Sequence, residues 1–175
     1  MNARQLLGTL SISVALAYGS LVPESALADG PPARQGLEGT WMVSIHNAAN
    51  GGVPFLLLAT FTEDGQYLGE TNTTAIRSLE HGDWFKVGPR EYMRTSVNFS
   101  FAPPPAAPRT YTGLTRITEK LALNQAGDEY TLVAGSLERF DQNGNLISTL
   151  PSGGTAVGRR CDSSTSIPQC LGLGN

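Results

Sequence analysis

Eleven consecutive residues, Glu91–Phe101 (EYMRTSVNFSF), sort into two sets with a period of two. Met93, Thr95, Val97, Phe99 and Phe101 share one face, and Tyr92, Arg94, Ser96, Asn98 and Ser100 share the other. Only an extended strand separates alternate side chains in this way, because successive Cβ atoms point to opposite sides of the pleat. Similar runs recur along the chain, each bounded by turn residues. Trp41, Val43 and Ile45 alternate with Met42, Ser44 and His46, and Val53–Thr62 reads as a second strand. Glu63-Asp64-Gly65 then turns the chain, since Asp-Gly tolerates positive φ, and Gln66–Thr74 returns. Trp84–Val87 is turned by Gly88-Pro89, and Tyr111–Leu123 is closed by Ala126-Gly127-Asp128. Tyr130–Phe140 follows, with an Asn-Gly turn inside Asp141–Asn145. Leu146–Leu150 and Thr155–Arg160 read as one last strand interrupted at Pro151–Gly154. Ala102–Pro108 (APPPAAP) lacks the donors a ladder needs and is expected to be a loop.

About eight strands joined by tight turns, with no helix of three turns between them, define an all-β chain. Sequential antiparallel strands of this kind favour an up-and-down barrel, which leaves no exposed edges; a two-sheet sandwich is the alternative. The barrel domain is expected over 39–160, preceded by a flexible leader at 29–38 and followed by a tail at 161–175.

Ahead of the leader stands a different kind of segment. Arg4 precedes the apolar run Leu6–Val22, Pro23 breaks it, and Ala26-Leu27-Ala28 offers a small-residue cleavage site before Asp29. This is the layout of a secretory signal peptide over 1–28, which predicts a secreted or periplasmic mature protein. The alternative, an uncleaved anchor, needs roughly 20 predominantly apolar residues, and Leu6–Val22 is shorter and carries two glycines and three serines. Cleavage leaves 147 residues, enough to bury a core without metal support. It removes only Arg4 and Glu24 among the charged residues, so the net charge stays at −3. With Lys86 and Lys120 as the only lysines and no basic stripe, nucleic acid is not expected as a partner. No second apolar run approaches spanning length, so no membrane contact is expected after cleavage. Cys161 and Cys170 are the only cysteines, and an isolated pair in an oxidising compartment most simply forms a disulfide. No C-x-x-C occurs, the two histidines lie far away in sequence, and neither a metal nor a cofactor is expected.

Gly39-Thr40-Trp41 opens the first strand and Arg159-Arg160 closes the last. This resembles the calycin superfamily, which includes lipocalins and avidins. There a G-x-W motif on the first strand packs against a basic residue from the end of the barrel. The resemblance implies that Trp41 plugs the barrel base with Arg159 or Arg160 stacked over its ring. Gly82-Asp83-Trp84 is similar to a Gly-x-Trp element of small bacterial barrel proteins. In those it precedes a Gly-x-x-x-Tyr turn, here Gly88–Tyr92 with a proline inserted. The allene oxide cyclases share the general shape. The resemblance implies a cup for a small apolar molecule, with a barrel cyclase or isomerase as the alternative.

Several residues are candidates for the chemistry of such a cup. Phe55, Leu57, Ala59 and Phe61 are expected inward, together with the apolar face of Glu91–Phe101, and Tyr67, Trp84, Phe99 and Tyr111 are expected to line the cavity. The same pattern also suits an ordinary packed core. Leu56 and Leu58 make the opposite face of their strand apolar, which points to a homo-oligomer contact or to cover by the leader. Glu119 shares a face with Tyr111, Thr115, Ile117 and Leu121. Turned inward it is a candidate acid or base. The expectation is that it turns outward to pair with Arg116 or Lys120, because glutamate is almost never fully buried unpaired. His81, near a strand end, is the other candidate catalytic group, against the commoner reading of a solvated loop histidine. Asp141–Asn145 resembles the start of a calcium loop, but Ser152 stands where the bidentate glutamate belongs, and the turn reading prevails. A purely structural or interaction module is the third functional class.

Overall fold

The computed structural model describes residues 36–46, 54–103, 110–152 and 154–173. The expected signal peptide, most of the expected leader, and most of the proline-rich segment lie outside these residues. The described chain is a closed, eight-stranded antiparallel barrel. Its strands are β1 (Gly39–His46), β2 (Phe55–Phe61), β3 (Gln66–Thr71), β4 (Glu80–Lys86), β5 (Glu91–Phe101), β6 (Tyr111–Leu123), β7 (Glu129–Phe140), β8 (Leu146–Pro151) and β9 (Thr155–Arg160). Each strand from β1 to β8 pairs with its successor, except that β8 and β9 share one position. The start of β7 pairs with β9 (Glu129↔Arg159 to Thr131↔Val157), and its end pairs with β8 (Ser136↔Pro151 to Phe140↔Leu146). The last strand is thus broken near Pro151, as the sequence suggests. Closure comes from β9 against β1, in register from Trp41↔Arg160 to His46↔Thr155.

The base of the barrel is an aromatic plug. Trp41, Phe61, Tyr67, Tyr92 and Tyr130 are all buried there, with Trp84 beside them. Ring pairs link them: Trp41–Tyr130 at 5.0 Å, Phe61–Tyr67 at 5.1 Å, Phe61–Trp84 at 5.9 Å and Trp84–Tyr92 at 5.7 Å. Tilted and edge-on pairs of this kind contribute about 0.5–1.5 kcal/mol each beyond their burial. Gly158 allows the packing, because a Cβ there would collide with the ring of Tyr130.

Arg160 seals the plug. Its guanidinium carbon lies 4.2 Å above the Trp41 ring. Its nitrogens donate to three backbone carbonyls, Gly127 (2.9 Å), Glu38 (2.5 Å) and Gly36 (2.7 Å), while Trp41 Nε1 donates to Leu37 O (2.8 Å). Of the two arginines at the strand end, Arg160 faces inward. Arg159, one residue earlier, points outward and pairs with Glu129 (3.1 Å) at a half-exposed site, so it is not the residue over Trp41. Beyond Arg160, Cys161 and Cys170 form a disulfide, and Ser166 caps the four-residue helix α1 (Ile167–Cys170) with a capping box. No helix among the described residues is long and apolar enough to cross a membrane.

Replacing Arg160 by lysine removes the planar fork that reaches three carbonyls at once. We expect Arg160→Lys to lower the urea-unfolding free energy by about 2 kcal/mol, from lost charge-assisted hydrogen bonds. Arg159→Ala, which breaks only a half-exposed pair, should change it by less than about 1 kcal/mol.

Candidate functional site

Above the plug the interior becomes charged. β5 sends Tyr92, Arg94, Ser96 and Asn98 inward, and all four are buried. Val97 and Phe99, expected inside, are 44% and 53% exposed. The apolar face of Glu91–Phe101 is therefore the outer face. The reversal has a physical cause: Arg94 finds two carboxylates inside the barrel, and a strand cannot present both of its faces to one core.

Those carboxylates are Glu80 on β4 and Glu119 on β6. Arg94 donates through Nε (2.9 Å) and Nη2 (2.7 Å) to Glu119 Oε2, and through Nη1 (3.0 Å) to Glu80 Oε2. Ser96 Oγ and Tyr67 Oη donate to the same Glu80 oxygen, each at 3.2 Å. Ser152 Oγ donates to Glu119 Oε1 at 3.1 Å. Beneath, the Arg94 guanidinium stacks over the Tyr67 ring at 4.4 Å. Burial alone opposes the charge on Arg94, but Tyr67, Glu119 and Glu80 outweigh it and hold the guanidinium well above its usual pKa. Burial pushes the Tyr67 phenol well above its usual value, with Arg94 partly offsetting the rise, and does the same to Tyr130. Glu119 thus points inward and pairs with Arg94. Arg116 and Lys120, its expected partners, are taken by Glu138 (2.5 Å) and Glu91 (2.8 Å) on the outside. The general rule against burying glutamate is satisfied by a partner 25 residues away in sequence.

This charged layer is the floor of a cavity of about 350 Å³. Glu80, Arg94 and Glu119 form its polar base, and Ile45, Phe55, Leu57, Ile117, Leu137 and Leu150 form apolar walls. Arg77, Arg139, Pro151 and Ser152 complete the lining. Volume and composition match small-molecule sites, in which mostly apolar walls carry a few convergent polar groups. Among the described residues no group of three or more His, Cys, Asp or Glu is placed to hold a metal ion.

Four residues were expected to line the cup. Tyr67 and Trp84 face inward but belong to the plug. Tyr67 touches the cavity floor only from below, through Glu80 and Arg94, and Trp84 Nε1 donates to Thr62 O at 3.0 Å. Phe99 and Tyr111 pack edge to face on the outer wall at 5.8 Å. A register shift at Ser100/Phe101 takes Tyr111 out of step with inward-facing Thr115 and Ile117. His81, on β4 opposite Val97, is exposed on the outer surface, so it contributes nothing to the cavity. Leu57, Ala59 and Phe61 are buried as expected, and Phe55 lines the cavity. Leu58 is 43% exposed on the outside. Arg94, Glu80, Arg77 and Arg139 were missed by sequence reasoning. A usable signal existed: Arg94, Ser96 and Asn98 on one strand face, with Glu119 on a similarly patterned neighbour, already describe a polar interior that can neutralise itself.

Removing one member of the buried triad strands the others. Arg94→Leu should cost about 3–5 kcal/mol in urea unfolding, and the triple change Glu80→Leu, Arg94→Leu, Glu119→Leu should recover most of that loss. The raised phenols give a pH dependence. A group whose pKa is higher in the folded state stabilises the fold fully below its unfolded value, about 10 for tyrosine, and that contribution is lost as the pH rises toward the folded value. Phenolate absorbance from Tyr67 and Tyr130 should therefore appear together with loss of the near-ultraviolet circular dichroism. Titration of either phenol within an intact fold would contradict this.

The closed antiparallel barrel, with an arginine over the first-strand tryptophan, is compatible with a calycin-like fold. Comparison of the chain with protein-family models, with curated proteins and with solved structures finds no match.

Proposed function

We propose that this protein is an exported barrel that holds a small, largely hydrophobic molecule in its cup. One observation carries the reading: the roughly 350 Å³ cavity with apolar walls from β1, β2, β6, β7 and β8 above a self-neutralised floor. A solidly packed barrel would leave only an interaction role, whereas here the aromatic residues fill the base and stop at Tyr67. Export rests on the signal-like N-terminal segment, and the Cys161–Cys170 disulfide is consistent with an oxidising compartment. The exposed Leu58, Leu68 and Val97 on the outer wall support self-association through that face.

A second reading, a cyclase or isomerase working within the cup, is favoured by the Glu80–Arg94–Glu119 floor. Fixed charges at the wall of a water-poor cavity stabilise charge that develops on a bound substrate. Glu119, held from both sides by Arg94 and Ser152, is the group such chemistry would use.

Native mass spectrometry of protein recovered from its own host tests the first reading. The expected result is a chain beginning at Asp29, with a non-peptide mass that is lost on denaturation. Leu137→Trp, which fills the cup, should abolish that extra mass while the barrel still folds. A chain that carries no small molecule in either form would contradict ligand binding, and recovery of the intact Met1 form would contradict export. The same spectra report the number of copies per assembly.

A further inference from the structure

The mouth of the cup carries an arginine that its floor does not use. Arg77, Arg94 and Arg139 line the cavity beside Glu80 and Glu119. Arg94 is consumed by the two carboxylates. Arg139, solvent-exposed at the open end of β7, lines the cavity, and its guanidinium has no ion pair or hydrogen bond among the described residues. It stands directly across from Thr115 on β6, which stands across from Asn98 on β5. Asn98 is 2% exposed, and neither Nδ2 nor Oδ1 has a hydrogen-bond partner among the described residues. A buried carboxamide with no partner is rare in a native fold and calls for a ligand or a bound water.

These three residues form one cross-strand row. Arg77 and Arg139 line both the cup and a second cleft of about 370 Å³, whose walls include Ile76, Phe101, Leu114 and Phe140. Arg77 is held beside the row by its bridge to Ser100. A guanidinium fork with an amide donor two strands away in the same row suits an oxyanion, and apolar walls on either side suit the body that carries it.

We propose that the row Asn98–Thr115–Arg139, flanked by Arg77, is an oxyanion subsite, and that the occupant of the cup is a small amphipathic monoanion. Its acidic head, a carboxylate or chemically equivalent group, is received by Arg139 and Asn98 Nδ2. Its apolar body lies along Ile45, Phe55, Leu57 and Ile117. Asn98 Oδ1 is left for a hydroxyl or water that enters with the head. This inference rests on reading the cup as a ligand site, and the test separates the two.

Two fluorescent probes share an apolar body and differ in charge: 8-anilino-1-naphthalenesulfonate is a monoanion, and N-phenyl-1-naphthylamine is neutral. Both should bind the purified mature protein, the anion more tightly. Arg139→Gln should weaken the anionic probe by about tenfold, the size of one charge-assisted contact, and leave the neutral probe within about twofold. Asn98→Leu should shift the preference in the same direction, with thermal melting used to confirm that it folds. Arg116→Gln, on the outer wall, should change neither probe. Equal losses for both probes in Arg139→Gln, or no loss for the anion, would overturn the oxyanion subsite while leaving the cup as a ligand site. Failure of both probes to bind would overturn both readings.

Discussion

Arg94 sits where a barrel would ordinarily place a leucine. Its charge fixes much else. A lone guanidinium cannot be left in an apolar interior, so two carboxylates must converge on it from neighbouring strands. That requirement sets which face of β5 looks inward and holds β4, β5 and β6 in one register, because a slip of one residue would send Glu80 or Glu119 to solvent. It also divides the interior. Below Arg94 the rings of Tyr67, Phe61, Trp84, Tyr92 and Tyr130 pack against one another and fill the interior. Above it the walls enclose a cavity of about 350 Å³. The ion triad is thus both the lid of the core and the floor of the cup.

The arrangement has a cost in stability that an apolar core would avoid, since desolvating three charged groups offsets much of their mutual attraction. What it supplies in return is geometry. Every lone pair of Glu80 Oε2 faces a donor, from Arg94, Ser96 and Tyr67, and Glu119 is held between Arg94 and Ser152. Polar groups fixed in this way need no rearrangement when something enters the cavity, which is the condition for selective binding and for electrostatic stabilisation of a reacting species alike. Pro151 and Ser152, at the break between β8 and β9, bring loop backbone to the same wall, so an irregularity in the ladder helps to build the site.

How much of this was legible in the chain differs between levels. Strand positions were, because alternation and turn chemistry are local: Glu91–Phe101, Tyr111–Leu123 and Thr155–Arg160 have the bounds their patterns predict. The pairing of the first strand with the last was also legible, through Trp41 and the arginines, although only register decides that Arg160 and not Arg159 covers the ring. The inward face of β5 was not. Polarity normally marks the outside, and here Arg94, Ser96 and Asn98 are inside while Val97 and Phe99 face out. That inversion depends on Glu80 and Glu119, whose distances along the chain from Arg94 carry no periodic signal. The same cause hid part of the cup lining, for once β5 is turned over, Phe99 moves to the outer wall; Tyr111 joins it there through the register shift at Ser100/Phe101, and a shift of that kind leaves no mark in the alternation of β6.

The seal at the base has a consequence for how the molecule closes. Arg160 joins carbonyls on both sides of the barrel seam, one of them 124 residues away. Contacts that span so much of the chain form late, because the entropy of closing so long a loop must be met before they stabilise anything. Until then the folding chain is a meander with a free edge at each end and Trp41 uncovered, the state in which sheet proteins are most prone to aggregate. One arginine thus decides how long the sheet remains sticky.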